Sequence, residues 1–369
     1  MSDQAARPID VSILVNTFRR PRHLAVVLES IAQQQAATTW EVIVSDDGSY
    51  DGTEELVAGF AATAGFPVRF TSQPHDGFRL ARVRNEAARL ARGGYLLFLD
   101  GDCILPRHHL ASHLDRRRQG TALVGYCARL TEDASRELAP ETLSRIDLPG
   151  LVTTDERRSL ARRRRKAWWH NALRHPTKPR LTGGDFGVWR DDFVAINGFD
   201  ERFVGWGQED DDLGLRLRAR GVRLESILDR TCSLHVWHPT DPTAAARWRD
   251  GPNVAYFARR GRLTACRRGL IERPVSTVVW GLPHDLGSGT LDAALARHLS
   301  TAPQVAAGAA CEIDVVTRPG RAVFARPAQC RLALLAAGFE PDAALRHAAD
   351  QIVTIPDEPS LVEALSAAG

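Results

Sequence analysis

The sequence predicts an α/β protein: a mostly parallel central sheet with helices on both faces, followed by a smaller C-terminal α/β unit. Three observations carry this expectation. Short runs of β-branched and apolar residues recur, bounded by polar, Gly or Pro residues; segments of helical apolar period lie between them; and the residues following several runs are polar and acidic. Strands joined through helical crossovers pair in parallel, and the crossovers cover the sheet faces.

In chain order, residues 11–15, 41–45, 67–71 and 95–99 read as buried strands. Between the first two, Leu24, Val27, Leu28 and Ile31 share one helical face. Asp51, with Glu54 three residues on, has capping-box spacing and starts a second helix, and Leu80, Val83, Ala87 and Leu90 mark a third. Residues 120–180 are less regular and hold an arginine block at 157–166 and the pair Trp168-Trp169. Residues 181–199 read as a Gly turn, a short strand and a short helix. Residues 209–220 form a helix whose first turn carries Glu209, Asp210, Asp211 and Asp212, where the helix dipole favours anions. A strand at 222–228 follows, and 234–238 is a strand or its exit.

The Pro-bounded stretch 251–274 marks the end of the first unit. The expected division is a catalytic domain at 1–260, a linker at 261–274 and a small α/β domain at 275–369. In the last, 276–282, 311–317 and 350–355 are strand-like, separated by Ala/Leu-rich runs at 291–299 and 330–339. It has neither G-x-G-x-x-G nor a P-loop, so packing or assembly is its expected role.

Composition narrows the function. With 44% hydrophobic and 25% charged residues among 369, the chain is neither disordered nor fibrous, and a net charge of +3 does not call for a nucleic-acid partner. Six scattered cysteines without metal or redox spacing suit reduced thiols, and no structural disulfide is expected. No apolar run approaches the roughly 20 residues of a spanning helix, and no signal sequence is visible, so a cytoplasmic chain is expected. For the arginine block three readings stand: a solvated helix face, a basic segment closing on a diphosphate, and a peripheral contact with anionic lipid at the inner membrane.

In open α/β sheets ligands bind beyond the carboxyl ends of the strands. Here those ends read Asn16-Thr17-Phe18-Arg19, Asp46-Asp47-Gly48-Ser49 and Asp100-Gly101-Asp102. Each aspartate singly is a common turn residue, but together they bring carboxylates to one edge. A D-x-D leaving a buried strand puts two carboxylates on one side of an extended segment, able to share Mg²⁺ or Mn²⁺ with substrate phosphates.

These segments, with RNEAARLARGGYLLFLDGDCILP and GGDFGVWRDDFVAINGFDERFVGWGQEDDDLGLRLRARG, resemble family 2 glycosyltransferases of the GT-A fold. The last segment is similar to the catalytic half of β-1,4-galactosyltransferases and of bacterial chondroitin-type polymerases. The resemblance spans about residues 10–245. It implies that Thr17, Phe18 and Arg19 surround the nucleotide, that Asp47 contacts uracil, and that Arg84 and Asn85 help to hold the donor, with Gly77 and Phe78 in the loop before them. Val83 departs from the family's ARN. The resemblance puts Asp100 toward the ribose and the metal shell, and Asp102 on a divalent ion, Mn²⁺ or Mg²⁺. A later histidine completes the ion's ligands: His235 is preferred and His238 is the alternative. In the W-G-x-E-D match, Asp210 is the general base, Glu209 binds the acceptor and Trp206 lies at the sugar subsite. Gly183 and Gly184 invite close backbone approach to the donor sugar.

The expected activity is metal-dependent, inverting transfer of a sugar from a nucleotide sugar, a UDP-sugar by preference, to a hydroxyl of a glycan or lipid-linked acceptor in bacterial surface polysaccharide synthesis. Two alternatives stand beside it: a retaining enzyme of the polypeptide N-acetylgalactosaminyl type, and a non-catalytic carbohydrate- or nucleic-acid-binding protein using the arginine block. The E-D pair argues against the first, and the intact carboxylate set against the second.

Overall fold

The computed structural model describes residues 8–239, 248–258, 265–266 and 268–272, and further on 278–281, 293, 311–316, 330–336, 340–341, 343–348, 351–355 and 359–361. The first part alternates strands and helices: β1 (Val11–Thr17), α1 (Pro21–Ala32), β2 (Trp40–Asp46), α2 (Thr53–Thr63), β3 (Val68–Ser72), α3 (Leu80–Leu90) and β4 (Tyr95–Asp100). Pro21 opens α1 at a position where its fixed φ suits the helix and its missing N–H costs nothing. β1 and β4 are buried along almost their whole length, which is why their sequences run apolar instead of alternating.

Next come β5 (Cys103–Ile104), α4 (His109–Arg116), β6 (Thr121–Val124), β7 (Cys127–Arg129), α5 (Glu132–Arg136), α6 (Pro140–Leu143), α7 (Thr154–Ala172), β8 (Asp185–Trp189), α8 (Arg190–Ala195), α9 (Glu209–Ala219), β9 (Arg223–Ser226), β10 (Ser233–His235) and α10 (Pro252–Ala258). The main sheet has seven strands in the order β3-β2-β1-β4-β8-β6-β9. All pairings are parallel except those of β8, which runs antiparallel to β4 and β6. This is the mostly parallel sheet with helices on both faces expected from the sequence. A small sheet, β5-β10-β7, lies past the end of β4. Its pairing of His235 with Cys103 brings a strand from more than a hundred residues away beside the D-x-D.

Two cores flank the sheet. On one side α1 buries Leu24, Val27, Leu28 and Ile31 against Val11, Ile13, Val42 and Val44. On the other, Phe98 stacks on Phe186 at 4.6 Å and meets Phe193 and Phe199, fixing α8 and the turn after it against β4. Asn85 serves this core. Its buried amide donates to Phe199 O and accepts from Phe199 N, both at 2.9 Å, so it holds the Asn197-Gly198-Phe199 turn and does not face the cleft as the resemblance implied.

The structure departs from the sequence reading in three further places. Residues 120–180 contain α7, a 19-residue helix with only Leu160 buried; without an apolar stripe it leaves no helical period to read. The expected linker is not a free connector over its described part. Asn197 Nδ2 donates to the carbonyls of Cys266 and Ile271, Leu270 N donates to Asn197 O, and Arg89 reaches the carbonyls of Gly269 and Leu270. These bonds fasten 265–266 and 268–272 to the first unit. The Ala/Leu-rich run at 330–339, expected as a separator between strands, contains a strand at Cys330–Ala336: a short, largely apolar run fits a buried parallel strand as well as a helix. It is β13 of a parallel sheet, β11 (Val278–Gly281), β12 (Cys311–Val316), β13 and β14 (Gln351–Ile355), with α11 (Ala343–Ala348) between the last two. The run at 291–299 lies outside the described residues apart from Ala293.

Candidate active site

The carboxyl ends of β1, β2 and β4 open into a cleft of about 1370 Å³, lined among others by Thr17, Phe18, Asp47, Phe78, Asp100, Asp102, Trp206, His235 and His238. Three groups of side chains divide it.

At the β1–β2 end, Phe18 stacks on His75 with ring centroids 4.4 Å apart and planes 11° from parallel. Beneath them the two aspartates of the Asp46-Asp47 pair split their work. Asp46 accepts from the N–H groups of Gly48 and Ser49 and from the Ser49 hydroxyl, which closes the turn. Gly48 has φ of 82°, and an added Cβ there would lie 2.5 Å from His75 N, so both conformation and space demand glycine. Asp47 is freed to face the cleft, steadied by Gln73 Nε2 at 2.5 Å. Arg19 is exposed; its backbone N–H donates to Ser49 Oγ and its guanidinium lies over Phe18, outside the cleft lining. Gly77, with φ of 71°, turns the chain into Phe78, whose carbonyl accepts from Gly205 N and ties this loop to the Trp206 loop.

At the end of β4, Asp102 meets both histidines. His238 Nε2 lies 3.3 Å and His235 Nε2 3.6 Å from its carboxylate, and the three ligand atoms fall within 4.8 Å of one another. Both histidines, the preferred His235 and the alternative His238, converge on this carboxylate. Arg20 Nη1 donates to the same carboxylate at 2.8 Å, a partner the sequence reading missed. Burial opposes ionisation of Asp102, but the hydrogen bond from His238 and the charges of His235 and Arg20 outweigh it and hold the carboxyl at about 2. The site is thus a carboxylate flanked by two imidazoles and open to the cleft, where the oxygens of a substrate diphosphate would complete a shell that suits Mn²⁺ better than Mg²⁺.

Between these groups, buried Arg84 bridges carboxylates from two elements: Nη2 to Asp100 at 3.0 Å and Nη1 to Asp210 at 2.7 Å, with Glu209 at 4.0 Å. Asp210 also accepts from Gly183 N at 2.8 Å. A Cβ at Gly183 would lie within 2.4 Å of both Arg84 and Asp210, so the glycine is a condition of this bridge. Gly184 backs it: its carbonyl accepts from Asp100 N, and a Cβ there would press on the Asp100 carboxylate at 3.1 Å. Burial and the Asp210 charge push Glu209 up to about 8 against the pull of Arg84, and one of its oxygens, buried, has no hydrogen-bond partner. Burial also raises Asp210, with Arg84 opposing. The other two acids of the run do different work. Asp212 forms a buried pair with Arg216, which donates to the carbonyls of Ile196 and Gly198, and Asp211 faces Arg180.

Trp206 meets Trp248 edge to face at 5.5 Å, and both line the cleft. Trp248, His75, Gln73 and Arg20 are the residues sequence reading missed. None sits in a recognisable motif, and only the stacked pair and the shared carboxylates identify them. Beside β7 and β9, α7 carries seven cations against two acids, with Trp168, Trp169 and Leu173 at 53%, 52% and 71% exposure. It joins the sheet through Asn171 and Ser226 and through Arg163 over Tyr126.

Residues 12–178 match the family model described as glycosyl transferase family 2, and residues 170–238 the one described as N-terminal domain of galactosyltransferase. The chain is 30% identical over 233 residues to validoxylamine A glucosyltransferase of Streptomyces hygroscopicus subsp. jinggangensis, covering 58% of this chain and 52% of that protein. It is 27% identical over 232 residues to chondroitin synthase of Escherichia coli, covering 59% and 33%. The chain thus spans about half the length, or less, of these curated relatives. Among solved structures, the mannosyltransferase PcManGT from Pyrobaculum calidifontis in complex with GDP-Man and Mn²⁺ aligns over 69% of this chain and 63% of its own, at 19% identity and a TM-score of 0.46.

Proposed function

We propose that this chain is a family 2 glycosyltransferase, the family whose model matches residues 12–178, and that it moves a sugar from a UDP-sugar to a hydroxyl of a glycan or lipid-linked acceptor, with inversion, in surface polysaccharide synthesis. The observation that carries the reading is the convergence on one cleft of three parts with different chemistry: the Phe18–His75 stack beside Asp47, the Asp102–His235–His238 cluster, and Asp210 held by Arg84.

The stacked rings offer a face for the base, and Asp47 offers an acceptor for its N–H. Asp102, His235 and His238 are the residues that would hold Mn²⁺ or Mg²⁺. When bound, the ion supplies charge neutralisation to the departing diphosphate without proton transfer. Asp210 takes the proton of the acceptor hydroxyl as it attacks, while Glu209, holding its own proton near neutral pH, offers a hydrogen bond to the acceptor. Burial raises both carboxyls, and the pairing with Arg84 at 2.7 Å is what favours the Asp210 anion. Trp206 and Trp248, set edge to face, form a corner for a sugar ring. Among the described residues no helix is long and apolar enough to cross a membrane. The basic, tryptophan-bearing surface of α7 suits peripheral contact with anionic lipid, from which a lipid-linked acceptor would reach the cleft.

The test is a panel of nucleotide sugars incubated with and without EDTA, with Mn²⁺ added back, followed by NMR of the product's anomeric configuration. UDP-sugar turnover that stops with EDTA, returns with Mn²⁺ and inverts the anomer is expected. Full activity in excess EDTA, or retention at the anomeric carbon, sinks the reading.

A further inference from the structure

A second group of potential metal ligands lies under the main sheet, away from the cleft: His109 and His113 on α4, and Asp185 at the start of β8. All three are at 1% exposure or less. We propose that His109, His113 and Asp185 form a structural site for a transition-metal ion, zinc by chemical preference, that fastens α4 to the strands behind the donor cleft.

The geometry supports this first. His109 and His113 stand one helical turn apart, so both rings leave the same face of α4. His109 Nε2 is 3.2 Å from Asp185 Oδ1, and His113 Nε2 is 3.8 Å from the same oxygen. Ligands about 2.0–2.1 Å from a tetrahedral zinc lie roughly 3.3–3.5 Å from each other, so the observed separations bracket that edge. An octahedral arrangement would bring neighbouring ligands to about 2.9 Å, a poorer match.

A second observation is independent of those distances. His113 Nε2 is buried, points into the cluster and has no hydrogen-bond partner. A buried polar nitrogen without a partner is costly, and such groups in native folds call for one. Its position opposite the Asp185 carboxylate makes a cation the partner that serves both.

Each ligand also has the outer support that metal sites require. Ligating imidazoles donate their other N–H to an oxygen, which fixes tautomer and ring orientation. His109 Nδ1 lies 2.9 Å from Thr231 Oγ1, and His113 Nδ1 lies 3.2 Å from Tyr95 Oη. The second oxygen of Asp185 accepts from Ser233 Oγ at 2.8 Å. Two imidazoles and one carboxylate favour zinc, or iron and cobalt, over Mg²⁺ and Ca²⁺. Complete burial leaves no path for substrate or oxygen, which argues for structure and against catalysis. The consequence for the cleft runs through Ser233, two residues before His235 on β10. A clamp on Asp185 steadies the strand that carries a ligand of the other cluster.

The experiment measures metals by mass spectrometry in the full chain, expressed in zinc-supplemented medium and dialysed against EDTA. The wild type and Asp102→Ala are each expected to retain roughly one zinc per chain, while His109→Gln and His113→Gln lose it and melt at lower temperature. Zinc X-ray absorption of the Asp102→Ala protein should show two imidazoles and oxygen, and it needs no variant of the buried cluster to fold. The proposal is overturned if the dialysed wild type holds no zinc, if Asp102→Ala removes all of it, or if the absorption spectrum lacks paired imidazoles. Sugar transfer is not read in any arm, so failure here leaves the proposed activity untouched.

Discussion

Replacing Asp210 with Asn tests the assignment of the base. Asparagine keeps the volume and can still accept from Gly183 N, but it cannot take a proton. It also presents either a neutral oxygen or an N–H to Arg84 Nη1, where a carboxylate stood at 2.7 Å. Two magnitudes follow. A hydrogen bond to a charged group contributes about 1.5–3 kcal/mol, part of which returns because burial already disfavours the Asp210 anion, so stability should fall by no more than about 2 kcal/mol. Loss of a positioned base should lower turnover by about 10²- to 10⁴-fold, equivalent to about 3–5 kcal/mol of barrier. The chemical effect therefore exceeds the structural one. On the proposed reading the nucleoside is held by Phe18, His75 and Asp47 at the other end of the cleft, so UDP affinity should stay within about twofold. Calorimetry of UDP binding, thermal unfolding and UDP release under saturating donor separate these quantities. Turnover within tenfold of wild type, with UDP binding intact, would refute Asp210 as base; collapse of both binding and folding would mark it as structural.

Glu209→Gln tests the raised carboxyl. Folded Glu209 keeps its proton up to about 8, whereas the unfolded chain releases it near 4.5, so the folded state binds more protons between those values and stability falls as pH rises through that window. The variant should gain in melting temperature relative to wild type from pH 5 to pH 8.5, and a difference independent of pH would contradict the burial argument. A chain ending at Gly261 lacks the clasp of 265–266 and 268–272 on Asn197 and should melt lower than one ending at Arg273, which keeps it; equal melting would show the clasp to be inert. The full chain should sediment with anionic vesicles and not with neutral ones. Substituting Arg162, Arg164 and Arg165 with Gln should weaken that binding roughly 100-fold, at about 1 kcal/mol per cation near the surface. Equal binding to both vesicle types, or competition by nucleic acid at equal affinity, would remove the lipid reading.

The alternation of strands and helices is written locally. Apolar runs at 11–15, 41–45 and 95–99, with the helical period of Leu24 to Ile31, determine the layers of the first half, because burial on two faces leaves little room for polar residues. Asp47, Asp100 and Asp102 are legible as a group of carboxylates at the ends of buried strands, whereas Asp210 is one of four consecutive acids in a first helical turn and is picked out only by the resemblance to the family's W-G-x-E-D. What they do to one another is not local. Arg84 and Asp210 are 126 residues apart, and Asp102 and His238 are 136 apart by their numbers, so only the tertiary packing that brings α3 to α9 and β10 to the end of β4 decides that one guanidinium holds Asp210 and that two histidines share one carboxylate. The same holds for Asn85, adjacent to Arg84 in sequence yet turned into the Phe199 core, since successive residues of α3 point about 100° apart. Sequence reveals which residues carry charge and where the chain turns. Which charges lose water, and therefore which carboxyl stays protonated and which becomes a base, depends on neighbours supplied from elsewhere in the fold.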